Sequence, residues 1–167
     1  MPNYRRHYLG GHPIFVTMVT LRRRPWLTQH CDVLLDAMRW VKSRYPYRHI
    51  AHVVLPDHFH WMLEPVNGNF SRIVGAVKRD VTWRLKASGG NGLPPYWQSR
   101  FYDHVIRDER DFQRHLDYIH FNPVKHGIAR SPAEFAHSTF DEWWKRGIYD
   151  RNWGRVEPND IADMHLE

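Results

Sequence analysis

The sequence predicts an α+β fold of the ferredoxin-like (RRM-like) type: an antiparallel sheet assembled in the order β-α-β-β-α-β, followed by one more helix. Three observations predict it. Four segments rich in β-branched and aromatic residues alternate with amphipathic helical stripes in that order. Only Pro56-Asp57 separates the two central strands, a turn pair that sends the second back along the first. At 167 residues and 42% hydrophobic, the chain suits one domain with one continuous core.

Each element has its own signal. Residues 13–21, "PIFVTMVTL", read as the first strand, which the run Arg22, Arg23, Arg24, Pro25 ends. Residues 29–45 place Leu34, Met38, Val41 and Tyr45 on one helical face, with Thr28 as the expected N-cap. "RHIAHVVL" (48–55) and "HFHWMLE" (58–64) form the expected hairpin. A second helix over 72–87, capped by Ser71, carries the stripe Val74, Val77, Val81 and Leu85. "SGGNGLPP" (88–95) is a loop, because its glycines and prolines defeat both periodic structures. "RFYDHVIR" (100–107) reads as the fourth strand. Asp108 then opens a third helix running to about Phe121, with Phe112, Leu116 and Ile119 on its core face. Pro123 disfavours helical geometry at Asn122, which is therefore expected at or just past the last turn. Residues 131–155 are rich in Trp and Arg and less clearly patterned. The expected organisation is a single domain over 1–167, with a core at about 4–130 and a C-terminal extension, 131–167, packing on or beside it.

Charge narrows the partner more than the fold does, since RNA-recognition modules and many others share this layout. Lys and Arg number 24 against 18 acidic residues, a net +6, and 19 of the 24 are Arg. A polyanion suits this balance, because guanidinium forks match phosphate and stack on bases. A charged surface around an aromatic core fits the same numbers. Cys31 is the lone cysteine, so no internal disulfide framework exists. "MPNYRRHY" lacks the apolar run of a signal peptide, and the apolar runs are far too short to span a membrane. A cytoplasmic protein is expected.

The chemistry-bearing residues form two groups. His58 and His60 flank Phe59 in "DHFHW". With 13 histidines in the chain, about one His-x-His pair arises by chance. On a strand, however, residues i and i+2 share a face, so both rings point one way and Phe59 and Trp61 the other. The residues alone leave open a metal site and a pair of structurally hydrogen-bonded histidines. The second group is "HLDYIHFNPVKHG" (115–127). Tyr118 lies off the core stripe, and His115, Tyr118 and Asn122 share a flank. On spacing alone, an amphipathic boundary tyrosine and a capping asparagine are the favoured reading.

Taken together, "VVLPDHFHWML" and "DYIHFNPVKHG" resemble the single-tyrosine transposases of the histidine–hydrophobe–histidine (HUH) nuclease family. They are more similar still to its REP-associated branch, the bacterial tyrosine transposases tied to repetitive extragenic palindromes. "YRRHYLGGHPIFVT" (4–17) and "HSTFDEWWKRGIY" (137–149) extend the resemblance over roughly 4–155. It implies a metal-dependent single-stranded DNA endonuclease and strand-transferase. Tyr118, on the helix after the sheet, would be its nucleophile, and His58, His60 and Asn122 its metal ligands. Many relatives carry Gln where this chain has Asn122. The implied cofactor is a divalent ion, Mg²⁺ or Mn²⁺. The implied product is a 5′-phosphotyrosine with a free 3′-hydroxyl, formed beside a hairpin. A monomer is expected, with a homodimer the alternative.

A phenol with an ordinary pKa of about 10 needs a cation or base beside it to attack. His115 and His120 are the sequence candidates for that proton handling. Arg5, Arg6, Arg22, Arg23, Lys78, Arg79, Arg100 and Lys125 are candidate DNA contacts, and Trp97 a candidate base-stacking surface. Two other classes remain at this point: a non-catalytic nucleic-acid-binding protein on the same sheet, and a metallonuclease that uses water.

Overall fold

The structure, a computed structural model, describes residues 10–89 and 94–167. Arg5 and Arg6 lie outside the described residues. The elements are β1 (Ile14–Val19), α1 (Cys31–Arg44), β2 (Tyr47–Val54), β3 (His58–Pro65), α2 (Phe70–Ala87), β4 (Tyr102–Val105), α3 (Glu109–Lys125) and α4 (Phe140–Lys145). The sheet order is β2-β3-β1-β4 with every neighbouring pair antiparallel, which is the expected ferredoxin-like arrangement. No described helix is long and apolar enough to cross a membrane.

The period-2 alternation of the strands divides the interior into two layers. Ile14, Val16 and Met18 of β1, with Phe59, Trp61 and Leu63 of β3, pack against the apolar stripes of α1 and α2. Phe15 and Met62 point to the opposite face and pack against Leu116, Tyr118 and Ile119 of α3. Helix α3 therefore covers the face towards which His58 and His60 turn. Residues 137–139 run along the free edge of β2, with Val54 N donating to His137 O at 2.8 Å and Thr139 N to His52 O at 3.0 Å. That edge would otherwise present unpaired backbone groups.

Three local expectations are corrected. The cap of α2 is Asn69, whose side chain accepts from Arg72 N at 3.1 Å, because the helix opens at Phe70, ahead of Ser71. Thr28 begins a 3₁₀ turn that leads into α1 instead of capping it. Helix α3 also continues through Pro123 to Lys125. The proline removes only one donor so near the end, and the last turn closes with His126 N donating to Asn122 O at 3.1 Å. The extra turn matters, because it carries Lys125 round to the flank of Tyr118, seven residues earlier.

The C-terminal segment is pinned at Gly154, where φ is +77° and an added Cβ would lie 2.7 Å from Pro132 Cγ. Gly154→Ala is expected to lower stability by roughly 2 kcal/mol, through left-handed strain plus overlap with a rigid ring. Thermal unfolding of the variant measures it; an unchanged midpoint would show that this loop yields freely.

Candidate active site

The site is built on the α3-facing side of β3. Antiparallel pairing sets Thr17 of β1 opposite His60 and Val19 opposite His58. Thr17 Oγ1 donates to the carbonyl of Leu166 at 2.7 Å and lies 2.8 Å from His60 Nδ1. The hydroxyl proton is committed, so His60 Nδ1 must carry the hydrogen and Nε2 the lone pair. That Nε2 is buried without a hydrogen-bond partner among the described residues. His58 is fixed the same way: its Nδ1 donates to Asp57 Oδ1 at 2.6 Å, leaving Nε2 as an acceptor. Arg23 in turn holds Asp57, with Nη1 donating to Oδ2 at 3.1 Å. Arg22 and Arg23 both adopt left-handed backbone, at φ 55° and 51°, to make that approach.

Both imidazoles are neutral. Burial pushes His60 well below its ordinary value, and burial outweighs the pull of Asp57 to lower His58. Their rings stand 4.8 Å apart.

Asn122, fully buried on α3, turns its Oδ1 to 3.4 Å from His58 Nε2. With the amide in this orientation two lone-pair acceptors face each other, and Asn122 Nδ2 is itself buried and unpartnered among the described residues. Facing acceptors beside an orphaned imidazole nitrogen are what a cation satisfies. The donor set, two neutral imidazoles and an amide oxygen, fits a divalent ion of the Mn²⁺ or Mg²⁺ type. Carboxylate-anchored imidazole is also the usual outer support of a metal-bound histidine.

Tyr118 stands beside this group, its ring 5.2 Å from that of His60. Lys125 Nζ donates to the phenol oxygen at 3.2 Å and sits 4.7 Å above the ring. The last residues of the chain complete the enclosure. Leu166 N donates to Tyr118 Oη at 3.2 Å, and Oη donates to Glu167 Oε1 at 3.1 Å. Lys125 and His126 also donate to that carboxylate, at 3.4 and 2.9 Å. Ligand atoms of His58, His60 and Glu167 all lie within 4.8 Å of one another. The hydrogen bond from His126, together with the charge of Lys125, holds the Glu167 carboxyl far below the usual carboxylate range despite its burial. Tyr118 is shifted the other way. Burial pushes the phenol up and Glu167 adds to the shift, while the Leu166 amide and Lys125 pull against it.

The remaining sequence candidates are dispersed. His115 and His120 do not reach the phenol: His115 Nδ1 donates to Asp111 O at 2.8 Å, and the His120 nitrogens are engaged by Thr139 and Tyr149. They lie on the wrong flanks of α3, and the group beside the phenol is Lys125. Trp97 is buried and packs edge-on against Trp26 at 5.3 Å, so it offers no ring to a base. Arg23 is committed to Asp57. Arg22 and Arg100 are exposed, Lys78 donates to the carbonyl of Gln98 at 2.8 Å, and Arg79 lies on the helical layer. Sequence reasoning missed Thr17, Asp57, His126 and Glu167. Asp57 had a signal, since it adjoins the histidine pair in "PDHFH"; Glu167, 49 residues beyond Tyr118, had none.

No protein-family model matches the chain. A REP-associated tyrosine transposase of Escherichia coli (strain K12) is 36% identical over 167 residues, spanning 98% of this chain and 95% of that one. A Haemophilus influenzae (strain Rd) relative under the same family description is 33% identical, over 92% and 94% of the two chains. Among solved structures, a REP-associated tyrosine transposase bound to a REP hairpin superposes with a TM-score of 0.85. Its identity is 34%, and the match covers 99% of this chain and 96% of that one.

Proposed function

Because this chain belongs to the REP-associated tyrosine transposase family, we propose that it is a metal-dependent single-stranded DNA endonuclease and strand-transferase acting beside hairpin sequences. One observation carries the reading: His58 Nε2 and Asn122 Oδ1 face each other as acceptors, and His60 Nε2 is unpartnered among the described residues, all beside a tyrosine whose hydroxyl meets a lysine. The relative bound to a REP hairpin supports DNA of that kind as the substrate.

His58, His60 and Asn122 would hold the ion. When bound, it supplies positive charge against a phosphate oxygen and orients the phosphodiester for attack. The protein's own residues do the rest. Asp57 and Thr17 fix the two imidazole tautomers. Lys125, which donates to the phenol oxygen, stabilises the Tyr118 phenolate as the phenol proton leaves to solvent. Tyr118 Oη forms a bond to phosphorus as the P–O3′ bond breaks, and the departing 3′-oxygen takes a proton from water. The phosphodiester bond energy is retained in the phosphotyrosine, so a 3′-hydroxyl can attack it and rejoin the strand. A water nucleophile would lose that linkage.

The test is incubation of the full chain with single-stranded hairpin oligonucleotides plus Mg²⁺ or Mn²⁺, scored for a denaturant-resistant protein–DNA adduct. An adduct that chelation abolishes is the expected result. Hairpin binding with neither cleavage nor adduct would make the protein a binding module.

A further inference from the structure

On the far side of the sheet from Tyr118, helix α2 carries a tryptophan that its amphipathic pattern does not explain. Trp83 is 68% exposed and Trp40 of α1 is 40% exposed. Between them lies a groove of about 450 Å³, lined also by Arg44, Arg79 and Arg84. A second groove, of about 670 Å³, adjoins the other side of Trp83 and Arg79, between α2 and residues 94–99, and adds Lys78 and Lys86. The acid of this lining, Asp80, is already paired with Arg84 at 2.5 Å. The Arg44 guanidinium carbon sits over the Trp40 ring, 4.4 Å from its centroid.

We propose that these two grooves form one docking surface for an unpaired stretch of nucleic acid, a flank of the same DNA that Tyr118 engages. Exposed indole rings offer sequence-tolerant stacking faces, and the Arg and Lys around them neutralise the backbone between stacked bases. A second copy of this chain would bring like charges together on the same patch. The surface also has a route to the site. Residues 96–98 pair with the end of β1, Leu21 N donating to Tyr96 O at 2.8 Å and Gln98 N to Val19 O at 2.9 Å. Val19 is the register partner of His58. A strand leaving the site over that end of the sheet thus meets the 94–99 rim and then Trp83. The inference rests on the DNA-processing function proposed above.

The experiment measures binding of labelled hairpins bearing single-stranded 5′ or 3′ flanks of increasing length to the full chain, to Trp83→Ala and to Lys86→Glu. One flank is expected to strengthen wild-type binding about tenfold, and each variant to lose most of that gain. Adduct formation on a hairpin whose flank only just includes the cleavage site is expected to match wild type in both. A flank gain that survives both variants, or is absent from wild type, overturns the proposal. So does equal weakening of the flankless hairpin, or a wild-type self-association that Trp83→Ala abolishes, which would assign the surface to a second copy. If adducts form but show no flank dependence, the groove alone fails; if no DNA binds and no adduct forms, the function fails with it.

Discussion

Tyr118→Phe is expected to abolish the covalent protein–DNA adduct, lowering the rate of strand cleavage by at least about a thousandfold. The substitution removes one oxygen and keeps the buried ring between Phe15 and His60. Folding should lose roughly 2–3 kcal/mol, for the hydroxyl's hydrogen bonds to Lys125, Glu167 and Leu166. Activity and stability therefore separate cleanly in this variant. Denaturing electrophoresis after incubation with a hairpin oligonucleotide reads the adduct, and cleavage of the free strand is scored in the same lanes. Cleavage that continues at the wild-type rate without an adduct would assign the nucleophile to water. An adduct that persists would place the nucleophile on another residue.

Glu167→Ala should act in the opposite direction, raising the rate of adduct formation by roughly tenfold to thirtyfold. The Glu167 side chain restrains the site in two ways. Glu167 sets an anion among His58, His60, Lys125 and His126, where a phosphodiester would compete for the same charge. Its carboxylate and the surrounding burial also keep the Tyr118 proton in place. Charge-assisted hydrogen bonds of this kind contribute about 2 kcal/mol, so the open form is a few per cent of the population and loss of the carboxylate frees the rest. Leu166 and Met164 are retained, which leaves in place the carbonyl that takes the Thr17 proton and the buried apolar anchor of the segment. Single-turnover adduct formation at saturating metal is the measurement. Loss of activity on removal would mean that Glu167 serves the site as a ligand, and that its carboxylate belongs to the working arrangement.

How much of this was legible without coordinates depends on distance along the chain. The hairpin of β2 and β3 follows from Pro56-Asp57 and two strand patterns that adjoin it, so its faces were readable at once. Helix α2 was readable as a helix, but its cap was misplaced by two residues, because Asn69 and Ser71 both have capping side chains and only the entry angle of the chain selects between them. Extension of α3 through Pro123 was not readable: proline's penalty near a helix end is small enough for packing against the sheet to outweigh it. For the same reason His115 and His120 were natural candidates on paper. They sit within a turn of Tyr118 in sequence, yet the rotation of α3 on the sheet aims one at Asp111 and the other at Thr139 and Tyr149.

By itself, the sequence determined the element order, the shared face of His58 and His60, and the shared flank of Tyr118 and Asn122. Those are consequences of backbone periodicity, which acts over a few residues. Only the tertiary structure decided that the two pairs meet, because α3 had to cross β3 at one rotation and one height for Asn122 to reach His58. The same holds for Thr17, which sets the tautomer of His60 across a register of strands 43 residues apart. It holds as well for Lys125 against the phenol and for Glu167 within the site. Which side chains share a low-dielectric enclosure, and so which protons they hold, is settled by packing between segments whose spacing in sequence says nothing of their distance.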